Sequence, residues 1–262
     1  MGFILLNAAL SFVIAGTWIS LATWGAERLG SKIGGVLTLL PSTILVSLLF
    51  VAITSDNHFA AKVALTVPLG MTMNTLFLFA FVTFAKKGLA KTIFIALMVW
   101  AAIALVFSIL NIQSVIYTTL IYGLITIAVY IIMEHVVKIK SVAKQKQSFN
   151  LSLLFTRALF SGTIVALTVI LSGFVGHFWT GILSTFPAVM LTSMVILTRS
   201  QGIDFARATA KTMILASGNI VVYAFAVNYL YQTTNLVFAT ILSFLAALLY
   251  VIAILPLLSR SR

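Results

Sequence analysis

Pro41 and Pro187 are the residues from which chemistry can be read most directly, because each interrupts an apolar run that a helix would otherwise cross unbroken. A proline removes one amide donor and disturbs the bond to the carbonyl four residues earlier, here at Leu37 and Leu183. Carbonyls released in this way, together with nearby hydroxyls, can coordinate a solute or an ion in a place that water does not reach. The hydroxyls are there in both runs: Gly34-Gly35 is followed by Thr38, Ser42, Thr43 and Ser47, and Thr180-Gly181 by Ser184, Thr185, Thr192 and Ser193. A tolerated kink, re-satisfied by Thr38, Ser184 or a neighbouring helix, is the competing reading, and such a kink would recur in both runs as readily as a binding site.

The next apolar run after each proline adds polar groups at mid-depth. One carries Thr66, Pro68, Gly70, Thr72, Asn74 and Thr75; the other carries Thr209, Lys211, Thr212, Ser217, Gly218 and Asn219. A buried amide in hydrocarbon must find partners, so Asn74 and Asn219 are either glue between helices or part of a polar path. Lys211 lies about 12 Å into its run, where a cation costs about 2.5 to 3.5 kcal/mol to insert. Two roles fit it: its ammonium snorkels to the membrane surface, or it joins Arg207, one helical turn away, as the electropositive wall of a cavity. The candidate substrate-binding set is therefore Thr38, Pro41, Thr72, Asn74, Ser184, Pro187, Arg207, Lys211 and Asn219.

Other chemistries lack their residues. There is no cysteine, hence no disulfide, thiolate ligand or thiol nucleophile. His58, His135 and His177 stand singly, without the spacing of a metal site, and no nucleophile-base set is present, so neither an enzyme, a metal nor a cofactor is expected. The only acids, Glu27, Asp56, Glu134 and Asp204, fall at the ends of apolar runs, which disfavours a proton relay through a carboxylate at mid-depth.

The elements that must position these groups are membrane helices. Of 262 residues, 62% are hydrophobic and 8% charged, with a mean hydropathy of +1.19. Most of the runs have no polar face, which only a bilayer can accommodate. The net charge of +12 comes from Lys and Arg in the connections, where they act as topology signals and do not point to nucleic acid. Nine stretches are long enough to span, at 3–24, 33–54, 59–84, 91–110, 115–134, 151–173, 178–198, 203–231 and 235–258. Connections after spans one, three, five and seven are basic (Arg28, Lys32; Lys86, Lys87, Lys91; Lys138, Lys140, Lys144, Lys146; Arg199, Arg207), whereas those after four, six and eight carry no Lys or Arg. A multi-pass protein of the cell (inner) membrane follows, with its N-terminus outside and its C-terminus in the cytoplasm. Trp24, Trp179, Tyr229 and Tyr231 are expected at the interfaces as an aromatic belt. Met1-Gly2-Phe3 leads into the first span without a basic region, so no cleaved leader is expected.

A constant shift of 146 positions pairs Gly16 with Gly162, Gly30 with Gly176, Gly35 with Gly181, Pro41 with Pro187, Ser47 with Ser193 and Phe59 with Phe205, with no gap. Proline and glycine in register over three spans mark a duplication. Residues 1–112 form the first membrane repeat, 113–150 a linker helix with a basic cytoplasmic loop, and 151–262 the second repeat. Because span five stands alone between two four-span units, the second unit enters from the opposite face. An all-α, 4+1+4 inverted-topology architecture is expected, which is a common plan of secondary transporters.

The stretch holding Gly181, Phe186, Pro187, Gly202, Ile203, Asp204, Arg207, Ala208 and Thr209 resembles the GlpM family of small bacterial inner-membrane proteins, and the resemblance covers roughly 151–258. The first repeat departs from it: Leu40-Pro41 replaces Phe-Pro, Asp56 stands in place of Gly202, and Ala61-Lys62-Val63 replaces Arg-Ala-Thr. The resemblance implies a four-span unit, here doubled, and a link with exopolysaccharide (alginate) production without an assigned molecular activity. The expected function is transport of a small molecule or ion through a site between spans two, three, seven and eight. The alternative is a non-transporting accessory protein of polysaccharide or lipid export. Expected partners are the lipid bilayer, an unidentified small solute and a second copy of the chain.

Overall fold

Nearly every apolar run becomes a helix, because a helix alone satisfies its backbone within one segment of the chain. The computed structural model describes residues 2–28, 40–139 and 151–260, and no strand occurs among them. In chain order the helices are α1 (Gly2–Arg28), α2 (Ser42–Thr54), α3 (Asn57–Phe84), α4 (Leu89–Leu110), α5 (Val115–Ile131), α6 (Leu151–Ser172), α7 (His177–Ser184), α8 (Ala188–Gln201), α9 (Ile203–Ala216), α10 (Gly218–Thr233) and α11 (Leu236–Arg260). Helix α3 runs on through a 3-10 turn, Ala85–Lys87, and α5 ends in a π-helical turn, Ile132–Val136. Eight segments among the described residues are long and apolar enough to cross a membrane, with α7–α8 and α9–α10 each forming one of them. The second expected span, 33–54, contributes α2, a shorter apolar helix, and its residues 33–39 lie outside the described residues.

Local chemistry sets the boundaries. The Asp56 carboxylate caps α3 by accepting from the Phe59 amide at 2.7 Å, and the Asn235 side chain does the same for α11 with the Phe238 amide at 2.9 Å. Gly202, at φ 90°, makes the sharp turn from α8 into α9 that a side chain would strain. Pro68, by contrast, sits inside α3 without ending it, and the Thr72 hydroxyl donates to the Pro68 carbonyl at 2.9 Å.

Helix α3 is the centre of the molecule, buried nearly all round and packed by α2, α4, α5, α7, α9 and α10. The outer helices α4, α5 and α11 instead expose Phe94, Ile109, Leu124 and Val237 to their surroundings, and Ile109 is 83% exposed. Side chains of that type facing outward all along a helix suit hydrocarbon, not water. Tyr231 departs from the expected belt: it is buried, and its hydroxyl meets Thr240 at 2.8 Å.

Two pairs of helices run antiparallel across the middle. Against α6, Gly16 of α1 lies beside Ala158, Phe12 beside Gly162 and Ile4 beside Gly173, so numbers rise on one helix as they fall on the other. Against α10 and α9, the Asn228 side chain donates to the Ala61 carbonyl at 2.8 Å at one end of α3, and Arg207 Nε donates to the Val82 carbonyl at 3.2 Å at the other. Positions 61 and 207 are related by the shift of 146, and so are 82 and 228. Each contact is therefore the image of the other.

Candidate functional site

The site is built where one helix fails to continue and another begins. Helix α7 stops at Ser184 and α8 starts at Ala188, with Thr185, Phe186 and Pro187 between them. The break keeps its own hydrogen bonds: the Thr185 amide donates to Ile182 at 3.2 Å and the Phe186 amide to Leu183 at 3.0 Å. The Leu183 carbonyl, expected to be freed by Pro187, is thus occupied within the turn. The Ala188 amide folds back to Phe186 at 2.7 Å, and the first bond of the new helix runs from Leu191 to Pro187 at 2.7 Å. Pro41 heads α2 in the same way, with Ser42 donating to Leu40 at 2.8 Å and Leu45 to Pro41 at 3.0 Å. Every position in this second set is its counterpart minus 146.

A cavity of about 60 Å³ lies between these two helix starts, lined by Thr43 and Ile44 of α2, Met71 and Asn74 of α3, the break from Ser184 to Pro187, Val189 and Met190 of α8, and Ile220 of α10. Three of its pairs are equivalent under the repeat: Thr43 with Val189, Ile44 with Met190, and Asn74 with Ile220. The cavity is therefore lined by equivalent positions of both repeats. Amides in the first turn of a helix have no intrahelical acceptor, so Thr43, Ile44, Val189 and Met190 bring the positive ends of two helix dipoles to its wall. No charged side chain lines it.

Asn74 holds the wall together. Its Nδ2 donates to the Thr185 carbonyl at 2.8 Å, and its Oδ1 accepts from Trp100 Nε1 at 3.0 Å. The Trp100 ring meets Phe186 edge-on with centroids 5.3 Å apart, so α4 braces the break from behind. Trp100, Met71 and Phe186 were not among the candidate site residues expected from the sequence. The signal for Trp100 was its place in the middle of a span, away from the interfaces where tryptophan usually collects.

Of the expected set, Asn74, Ser184 and Pro187 line the cavity, and Pro41 heads the half-helix that supplies Thr43 and Ile44. Thr38 lies outside the described residues. Thr72 is buried with its hydroxyl turned to its own helix. Asn219, also buried, sits one residue before Ile220 at the start of α10, and its Nδ2 has no hydrogen-bond partner. The break before it, at Ser217, is stitched by Ser217 Oγ donating to Ile214 at 2.7 Å and Tyr250 of α11 donating to Leu215 at 3.2 Å.

Arg207 and Lys211 do not line this cavity. Arg207 caps the end of α3 through Val82 and pairs with Asp204 at 3.3 Å, the position a guanidinium takes at a helix C-terminus. Lys211 neither snorkels alone nor faces the cavity: it is buried and forms an ion pair with Glu134, with its ammonium 5.4 Å from the centre of the Tyr130 ring. An isolated cation at that depth is expensive, and the carboxylate at the end of α5 offsets the cost. No cluster of three or more His, Asp or Glu that could hold a metal occurs among the described residues.

The model of a family described as "Protein of unknown function (DUF3147)" matches residues 8–114 and again 154–259. The two matches begin 146 positions apart (154 − 8), the same shift that pairs Pro41 with Pro187. The chain is thus a tandem duplication of that unit. No curated protein and no solved structure matches it.

Proposed function

The chain belongs to the DUF3147 family through both of its halves, and from that premise we propose that it is a membrane transporter of a small solute, with its site in the cavity between the start of α2 and the break that separates α7 from α8. The observation that carries this reading is the coincidence of three features in one place: two proline-headed helix starts, a cavity, and residue pairs related by the repeat. Two inverted units can exchange outward-open and inward-open states by swapping conformations about such a centre. The antiparallel contacts of α1 with α6 and of α3 with α9 and α10 support the inverted arrangement, with N-terminus outside, C-terminus in the cytoplasm and the fifth span as linker.

The cavity also bears on the solute. About 60 Å³ holds a few waters or a small ion, whereas drug-sized ligands occupy roughly 300 Å³ or more. The two helix N-termini favour negative charge or hydrogen-bond acceptors over cations. A small anion or a small neutral solute rich in acceptors fits best. The GlpM-like pattern around Phe186 and Pro187 falls on the break itself, so we extend the resemblance to that four-span unit as a whole. A non-transporting accessory role in polysaccharide or lipid export would leave the break and the cavity unused.

Flux of small anions and neutral solutes into proteoliposomes tests the proposal. Asn74→Ala removes the link between Trp100 and the break and should lower flux by up to about a hundredfold while insertion is retained, the loss that a misplacement of about 1 Å can cause. Asn219→Leu should lower it as well. Undiminished flux in both variants rejects the site.

A further inference from the structure

The linker helix α5 carries polar residues at every fourth position, Thr118, Tyr122, Thr126, Tyr130 and Glu134, and this stripe faces the seam between the repeats. Its contacts alternate. The Thr118 hydroxyl donates to the Leu65 carbonyl of α3 at 3.0 Å, the Tyr122 hydroxyl meets Ser217 Oγ at the end of α9 at 3.0 Å, Thr126 meets Thr75 of α3 at 3.3 Å, and Tyr130 with Glu134 hold Lys211 of α9. Thr118, Tyr122 and Thr126 are buried. A helix that served only to connect two units would need none of these bonds.

The two ends of the stripe touch equivalent positions. Leu65 and Lys211 are 146 apart, so α5 grips the same place in each repeat, at points about 24 Å apart along its axis. One grip is a single neutral hydrogen bond, and the other is an ion pair with a buried cation. We propose that α5 is a strut between the repeats and that Glu134–Lys211 is a latch holding the cavity shut toward the Glu134 face, an inference that rests on the transport reading above. Loss of the Glu134 charge leaves Lys211 buried and uncompensated, so α9 must shift to let water reach the ammonium. Ile220 of the cavity wall lies beyond the Ser217 break, nine residues further along the same span, and the shift opens a way toward it. The π-helical turn that carries Glu134 departs from regular α-helix geometry at this point, as such turns often do at functional positions.

The chain contains no cysteine, so Thr43→Cys places one reporter thiol in the cavity. Its labelling by a membrane-impermeant maleimide is followed in vesicles of each orientation, with the reagent added to one face at a time. The parent reporter should react slowly from the Glu134 face. Glu134→Gln should speed reaction from that face about tenfold, within the range of ordinary coupling between two states, and leave the Thr118 face unchanged. The exchange Glu134→Lys with Lys211→Glu should restore the slow rate, and Thr118→Val should leave the Glu134-face rate as it was. If Glu134→Gln fails to fold, Glu134→Asp weakens the same pair and should give a smaller rise. Equal rates in the parent and in these Glu134 variants overturn the latch but leave the cavity standing; no labelling from either face in any variant overturns both.

Discussion

Asn74 and two glycines decide how closely the repeats approach at the cavity. A Cβ on Gly181 would overlap the Thr66 hydroxyl and lie 2.7 Å from the Val63 carbonyl oxygen, and one on Gly70 would overlap the Thr185 side chain. In a bilayer, helix association depends on packing of this kind because lipid tails are as apolar as the side chains they replace. Gly181→Ala should therefore destabilise the contact of α3 with α7 by about 1 to 3 kcal/mol, the usual cost of overpacking, read as a lower thermal midpoint in detergent. Gly123→Ala on α5 is the control, since nothing lies within 4 Å of a Cβ there, and the helix should gain slightly. An equal response at the two positions would mean that close packing at Gly181 contributes nothing. At this scale the sequence exposed Asn74, because a lone amide in an apolar run stands out, but not its partner Trp100 on another span, 26 positions away. It also hid the fate of Lys211, since Glu134 belongs to a helix far along the chain and its burial against α9 is a tertiary event.

Pro187 shows how a single residue ends one helix and starts the next. A continuous helix from His177 to Gln201 would place the Asn74 amide against a carbonyl already bonded within the helix; the break hands the Thr185 carbonyl to Asn74 instead. Proline disfavours a helix interior by about 3 kcal/mol relative to alanine, so Pro187→Ala tilts the segment toward running on through Thr185 and Phe186. The expected outcome is a folded protein whose thermal midpoint is equal or higher and whose flux falls, measured in the same vesicles as the Asn74 variants. Full flux with alanine would show that the break needs no proline or does no work. The paired prolines and their hydroxyls were legible because periodicity and composition act over a few residues. The break at Ser217–Gly218 was not: a serine-glycine step is common in helices, and the hydroxyls of Tyr122 and Tyr250 that reach Ser217 and Leu215 here come from distant helices.

The whole molecule is held by contacts that recur under one operation. Gly16 beside Ala158 becomes Phe12 beside Gly162 when the halves are exchanged, just as Asn228 on Ala61 becomes Arg207 on Val82. Both pairs fit equivalent helices that run antiparallel, the arrangement the proposed exchange of halves requires and one that an axis along the membrane normal would not produce. The duplication and the register were readable from Gly and Pro spacing, and the odd linker span argued for the hand; which helices meet at the axis needed the packing. The decisive test is a cross-link far from the crossing point, where the two arrangements differ most. Ile4 lies against Gly173 in the antiparallel packing, whereas in a parallel pair related by the shift of 146 it would lie level with the start of α6, more than 20 residues and roughly 30 Å away along the helix. Ile4→Cys with Gly173→Cys, in a chain that has no other cysteine, should be joined by a short bifunctional maleimide within one polypeptide. Gly16→Cys with Ala158→Cys should go further and form a disulfide on oxidation, because their Cβ atoms would lie 3.9 Å apart. Insertion of a protease site within 140–150 and cleavage there leaves the two halves as one band if the bridges form and as two if they do not. Two bands from the Ile4–Gly173 pair would exclude the antiparallel arrangement and remove the physical basis for an exchange of the two halves about the cavity.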